Sequence, residues 1–375
     1  MRKHGLHILV IVLAVLFLFI GNRMTEVYQP QNPYEMPFYN AVITEILDVR
    51  ETDLGWGLST SITFSARLTG TERRGEMITA TQHIDDFFLV NEREVSLGDR
   101  IVVVYAPWDD VFYFAHYNRI NLVAVLIAIF FVLILLFAKM KGFNSIIALG
   151  FTCMAVFLVF VPAILAGRNI YITTIIICAY AIISTLLIVI GFEKKAMAAM
   201  LGCLGGVFVS GLLMLAADMV FRLTGGLDQE TEFLLLLPTG TPINLRAIIF
   251  AGVILGAVGA ILDVAMSISS SLWELKEAGG VSDFNSIFKS GINIGKDILG
   301  TMLNTLILAY IGSSLSLILL LNVNSTSLIA LFNEERIIVE FLRALIGSFG
   351  MLLAIPLTAG ICGWLYGGLT IQKNE

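Results

Sequence analysis

Apolar residues gather in long unbroken runs, at 8–20, 119–138, 143–166, 170–190, 196–220, 245–265, 299–321 and 340–367. A hydrocarbon core of about 30 Å takes about 20 helical residues to cross. All the runs except the first reach that length. The first follows a basic start in "RKHGLHILVIVLAVLFLFIGNR", and the "FIGNRMTEV" after it has no A-x-A cleavage pattern, so 1–20 is expected to be an uncleaved signal anchor. The pattern therefore predicts a mainly α, polytopic membrane helical bundle of about eight transmembrane helices, with both chain ends on one side.

Residues 21–118 alternate instead. After a Pro-rich linker, "PQNPYEMP", come "YNAVITEIL", "SITFSARLTG", "EMITATQ", "EVSLGDRIVVVY" and "DVFYFAHY", separated by turn-forming stretches such as "RRG" and "LGD". Period-two runs of this length predict a small β domain, either a barrel or a sandwich. The expected organisation is an anchor at 1–20, a β domain at 21–118 and a helical domain at 119–370 containing a cytoplasmic loop at 266–298.

Charge adds an orientation. Lys3, Lys139, Lys141, Lys194, Lys195, Lys276, Lys289, Lys296 and Lys373 all fall on one side of this topology, while 21–118 contains arginines but no lysine. The lysine side is then cytoplasmic and the β domain extracytoplasmic. The composition, 57 % hydrophobic and 14 % charged with a formal net charge of −6, fits a lipid-bilayer protein and offers no basic surface for nucleic acid. The mean hydropathy of +0.88 points the same way. Cys153, Cys178, Cys203 and Cys362 sit in apolar runs and read as small buried residues. The histidines form no ligand spacing, and no nucleotide loop, G-x-S-x-G elbow or H-E-x-x-H occurs, so no cofactor or enzymatic reaction is implied.

Candidate chemistry lies in two late spans. In "DILGTMLNTLILAY", Asp297, Thr301, Asn304 and Thr305 occur at i, i+4, i+7 and i+8, one face of a helix. "DVAMSISSSLWEL" repeats the spacing with Asp263, Ser267, Ser270 and Ser271, and Glu274 extends it. Polar side chains facing lipid are costly, so both faces are expected to look into the bundle or a wet cavity. A hairpin of the two spans would bring Asp263 and Asp297 near each other. Between them "SDFNSIFKS" reads as a short amphipathic helix capped by Ser282, with Phe284, Ile287 and Phe288 on one side. The oxygen-rich stripes admit an ion or proton site, or simple hydrogen bonding between helices with Asp297 capping a helix N-terminus. Asp218 is expected to pair with Arg222 at i+4. Gly202/Gly206, Gly252/Gly256 and Gly363/Gly367 offer small faces for close helix packing.

"GAILDVAMSISSSLWEL" followed by "SGINIGKDILGTMLNTLILAYIGSSL", together with "GFEKKAMAAMLGCLGG" at 191–206, resembles the bacterial YibE/F family of multi-pass membrane proteins over about 119–370. The β domain resembles the extra N-terminal part of the longer, YibE-type members. The resemblance implies a plasma-membrane location, a helical bundle and a paralogous YibF-like membrane subunit as partner. It implies no reaction and carries over no functional residue. The expected function is a permease or transporter subunit handling a small solute or ion. Asp263, Ser267, Ser270, Ser271, Asp297, Thr301, Asn304 and Thr305 are the path candidates. Two alternatives stand: a membrane scaffold or cell-envelope assembly protein acting through the β domain and, more remotely, an intramembrane aspartyl protease using Asp263 and Asp297, although "IGKDILG" departs from the G-x-G-D pattern of that class.

Overall fold

In the computed structural model, residues 2–25, 36–53, 58–70, 73–85, 93–226, 231, 233–236, 242–280, 283–324 and 327–367 are described. Contacts divide the chain into two units, Met1–Gln29 with Phe137–Glu375 and Pro30–Leu136.

The second unit holds strands β1 (Phe38–Asp53), β2 (Leu58–Leu68), β3 (Met77–Asp85), β4 (Arg100–Ala106) and β5 (Val111–Tyr117). They close into a barrel in the order β1-β2-β3-β5-β4. Only β3 and β5 run parallel among these pairs. This is the strand order of the OB-fold, and it decides between barrel and sandwich. Alternation does the work: Ile62, Phe64, Ala66 and Leu68 of β2 are buried, and Ser61, Thr63 and Ser65 between them are less so. The buried Gln82 amide donates to the Arg93 carbonyl at 3.1 Å and accepts from the Val95 N–H at 3.0 Å, tying that segment onto β3. The strand expected from Glu94 begins only at Arg100. Before it, Asp99 accepts the Ser96 N–H at 2.8 Å and Gly98 takes φ +87°, a turn that strand geometry cannot continue.

The helices are α1 (Arg2–Thr25), α2 (Ile120–Met154), α3 (Val161–Leu165), α4 (Ile170–Val189), α5 (Lys194–Phe221), α6 (Leu245–Glu277), α7 (Phe284–Ser313), α8 (Leu315–Asn324), α9 (Leu328–Asn333) and α10 (Glu335–Tyr366). A π-helical segment, Ala155–Phe160, joins α2 to α3. Among the described residues, seven helical stretches are long and apolar enough to cross a bilayer. The runs at 119–138 and 143–166 form one of these, Ile120–Leu165, broken at Lys139, whose φ of 49° and ψ of −125° are non-helical. From Ile120 to Leu136, α2 is apolar and exposed or half-buried all round.

Several expectations change here. The loop expected at 266–298 shrinks to 278–283, because α6 continues to Glu277 and α7 starts at Phe284. The amphipathic segment is therefore the first turns of α7, not a separate helix. Ser282 lies outside the described residues. The cap is Asp283, which accepts the Ser286 N–H at 3.0 Å. The run at 299–321 is also divided, at Ser314, between α7 and α8.

In the first unit α10 packs against α5, α6 and α7. Glycines set the approach. A Cβ on Gly202 would strike Thr358, one on Gly206 would lie 2.8 Å from Ile261, and one on Gly350 would strike Ser210. On α7, Gly291 and Gly295 meet Ala359 and Ile355 in the same way. The expected small faces Gly202/Gly206 and Gly363/Gly367 do pack closely, the latter against Phe284; Gly252/Gly256 is exposed and is approached by side-chain ends, the Tyr310 hydroxyl at Gly256 and Arg343 at Gly252, with no helix backbone against it among the described residues. The N-terminal helix is built into this unit: Phe17 stacks on Tyr180 at 4.3 Å, and Tyr180 donates to the Ala14 carbonyl at 3.3 Å.

Gly202→Leu should overpack the α5–α10 contact and destabilise the helical unit by about 1–3 kcal/mol, read as a lowered thermal midpoint. The same change at Gly259, whose Cβ position is open, should not. Hydrogen bonds from Ser286, its side chain foremost, hold the Asp283 carboxyl below the usual range. Its capping contribution is therefore complete at neutral pH and fades as pH falls through that lowered value. Asp283→Ala should lower the thermal midpoint at pH 7, and the gap to the parent should narrow on acidification.

Candidate functional site

Between Gly252 and Glu274 α6 is largely covered, its residues mostly buried or half-buried, because α4, α5, α7 and α10 all pack on it. The exposed residues in that stretch are Gly252, Gly256, Gly259, Asp263 and Glu274. They recur at helical spacing on one line, with half-buried Ser267 and Ser270 between Asp263 and Glu274. The strip is thus glycine-floored at one end, carboxylate-bearing in the middle and hydroxyl-bearing beyond. Ser270 Oγ approaches Met266 Sδ at 3.8 Å, and Ser271 is half-buried beside the strip. Asp263 has no hydrogen-bond partner among the described residues.

The α7 stripe has the opposite fate. Ile287, Gly291 and Gly295 are buried, and Ile298, Leu299, Met302, Leu303 and Leu306 pack on the core, whereas Asp297, Thr301, Asn304 and Thr305 are all exposed on the other side. The expectation that both stripes look into the bundle holds for neither in full and fails for α7. The physical reason is the glycine pair Gly291/Gly295, which commits the opposite face of α7 to α10 and α6. Thr301 and Thr305 bond the carbonyls of Ile298 and Thr301, both at 3.0 Å, and so satisfy themselves on their own helix. Asp297 lies well inside α7 and caps no N-terminus. A Cβ on Gly291 would lie 3.0 Å from Leu272 and one on Gly295 3.2 Å from Ile268, which gives the antiparallel register of α6 and α7. At 1.5 Å per residue, Asp263 and Asp297 then lie about 5 Å apart along the helix axes, but Asp297 is turned away from α6.

A charged pair that sequence reading passed over sits nearby. Glu340 and Arg343 of α10 form an ion pair at 2.6 Å, with side chains only 21 % and 26 % exposed. Glu340 Oε2 and Arg343 Nε are buried without partners among the described residues. Arg343 reaches to 3.9 Å from the Cβ position of Gly252, and the Tyr310 hydroxyl of α7 to 2.7 Å from that of Gly256, so both overhang the glycine end of the strip. Glu340 and Tyr310 also line an apolar cavity of about 360 Å³, walled by Phe332 and Phe341 among others. The signal was present in "VEFLRAL": two opposite charges at i, i+3 inside an apolar run.

At the other end of α6, buried Lys276 donates to the Tyr366 carbonyl. The Tyr366 and Ser269 hydroxyls are 2.8 Å apart, and Ser269 also donates to the Lys195 carbonyl at 2.6 Å. Lys276, expected in the loop, instead ties α6 to α10, and Ser269 adds the tie to α5. The expected Asp218–Arg222 pair is not formed among the described residues, because Arg222 takes φ 53° as the helix ends. Beyond that end, Glu335 accepts the Thr224 and Gly225 N–H groups, both at 2.8 Å, and joins the loop to the first turn of α10.

Comparison with known proteins adds one result. The family model described as YibE/F-like protein matches residues 126–368. No curated protein matches, and no solved structure matches.

Arg343→Met should strand the half-buried Glu340 carboxylate and destabilise the helical unit by about 3–5 kcal/mol. The double variant Glu340→Gln/Arg343→Met should recover most of that loss, measured by thermal unfolding of the purified protein.

Proposed function

The chain belongs to the YibE/F-like family, and on that premise we propose that it is a membrane-embedded permease subunit whose path for a small cation runs along the α6 strip. The helices lie in the bilayer, the lysine-bearing ends are cytoplasmic and the barrel is extracytoplasmic. With α2 crossing once on each side of Lys139, the spans number eight. The observation that carries this reading is the make-up of the strip: a helix packed by four neighbours leaves along one line exposed glycines, the Asp263 and Glu274 carboxylates and half-buried hydroxyls.

Each residue type fits that role. Glycines leave room for an ion to pass close to the backbone. Asp263 supplies the hard oxygen ligand for Na⁺ or the carrier for H⁺, with Ser267, Ser270 and Ser271 offering further oxygens towards Glu274. Arg343 and Tyr310 stand over the glycine end, where the ion pair with Glu340 offsets the repulsion the guanidinium would otherwise exert on a cation.

The test is flux in proteoliposomes under an imposed Na⁺ or pH gradient. Asp263→Asn should lower flux at least ten-fold with the fold intact, and Gly259→Leu should also block it. Asp297→Asn should leave it within two-fold. Wild-type flux in the Asp263→Asn protein would remove the strip from the mechanism.

A further inference from the structure

The exposed side of α7 carries Asn293, Asp297, Gly300, Asn304, Ile307 and Ile311, spaced alternately by four and three residues. That is the seam spacing of a two-stranded helix pair. Apart from the two isoleucines it is polar or glycine, which is the wrong surface to present to lipid. Rotation cannot hide it, because Gly291 and Gly295 fix the opposite face at backbone distance from α10.

We infer that this seam pairs with its counterpart on a second copy of the chain, the two α7 helices crossing side by side about a two-fold axis. The inference rests on the membrane placement proposed above, not on transport. The seam itself names the partner, because it supplies both halves of every interaction it needs. The Asn304 amide donates and accepts, so two of them satisfy each other across a symmetric contact. Lys296 flanks Asp297 on the same helix, and in seam geometry it lies beside the Asp297 of the other copy, neutralising carboxylates that would otherwise repel. A Cβ on Gly300 would meet nothing within 4 Å, so the two backbones can approach closely at the centre of the seam.

Disulfide trapping in native membranes tests this. With exposed Cys153 replaced by Ser, Gly300→Cys and Asn304→Cys should each give a covalent dimer of twice the chain mass on oxidation, whereas Ile172→Cys, on the exposed side of α4, should not. In mild detergent, Asn304→Leu, a surface change that leaves the core untouched, should weaken dimerisation at least ten-fold by sedimentation. Asp263→Asn should dimerise as the parent does, so that loss of flux and loss of pairing are separate results. No adduct at 300 or 304, an adduct containing a different protein, or full dimerisation of Asn304→Leu would overturn the pairing and leave the permease reading standing.

Discussion

The helical unit depends on one constraint: α10 touches three neighbours at backbone distance. Gly202 and Gly206 of α5 and Gly291 and Gly295 of α7 all stand where a side chain would collide with α10, and Gly350 of α10 stands where one would collide with α5 and α6. With the helices placed in a bilayer as proposed above, no water is present to drive apolar helices together. Close packing and dispersion must supply the cohesion, and these grow steeply as backbones approach. Every other feature of the unit follows from which sides of each helix this contact uses.

It explains why two segments with nearly the same polar spacing end in different surroundings. α6 is packed by four helices, so its core faces are buried and one narrow polar strip is left. α7 is packed mainly by α10 and α6, and its glycines face them, so its polar side is exposed. The same arrangement gives Arg343 and Tyr310 a glycine surface to lean over. A side chain at Gly256 would displace the Tyr310 hydroxyl. Lys276 and Tyr366 close the opposite end with a chain of hydrogen bonds that leaves the buried ammonium a partner.

The barrel is governed by a different period. Its inward residues alternate along β2, and its buried Gln82 amide is matched to backbone on both sides. Such alternation is legible in sequence because it is local. The closure order, with β3 beside β5, is not, since it depends on which distant edges meet.

Taken alone, the residues determined the helical class, the position of most long apolar helices, the five-strand segment, the family and the polar spacing of Asp263 and Asp297, because hydropathy and period are properties of neighbours along the chain. They also marked Gly202/Gly206 as a packing face. They did not determine that α6 and α7 continue through the expected loop, since those turns are amphipathic and polar runs of that kind resemble loops until a neighbour such as α10 covers their apolar side. Nor did they reveal the Glu340–Arg343 pair or which stripe would be enclosed. Spacing states that residues share a face, but only the contacts of the folded chain decide what that face meets.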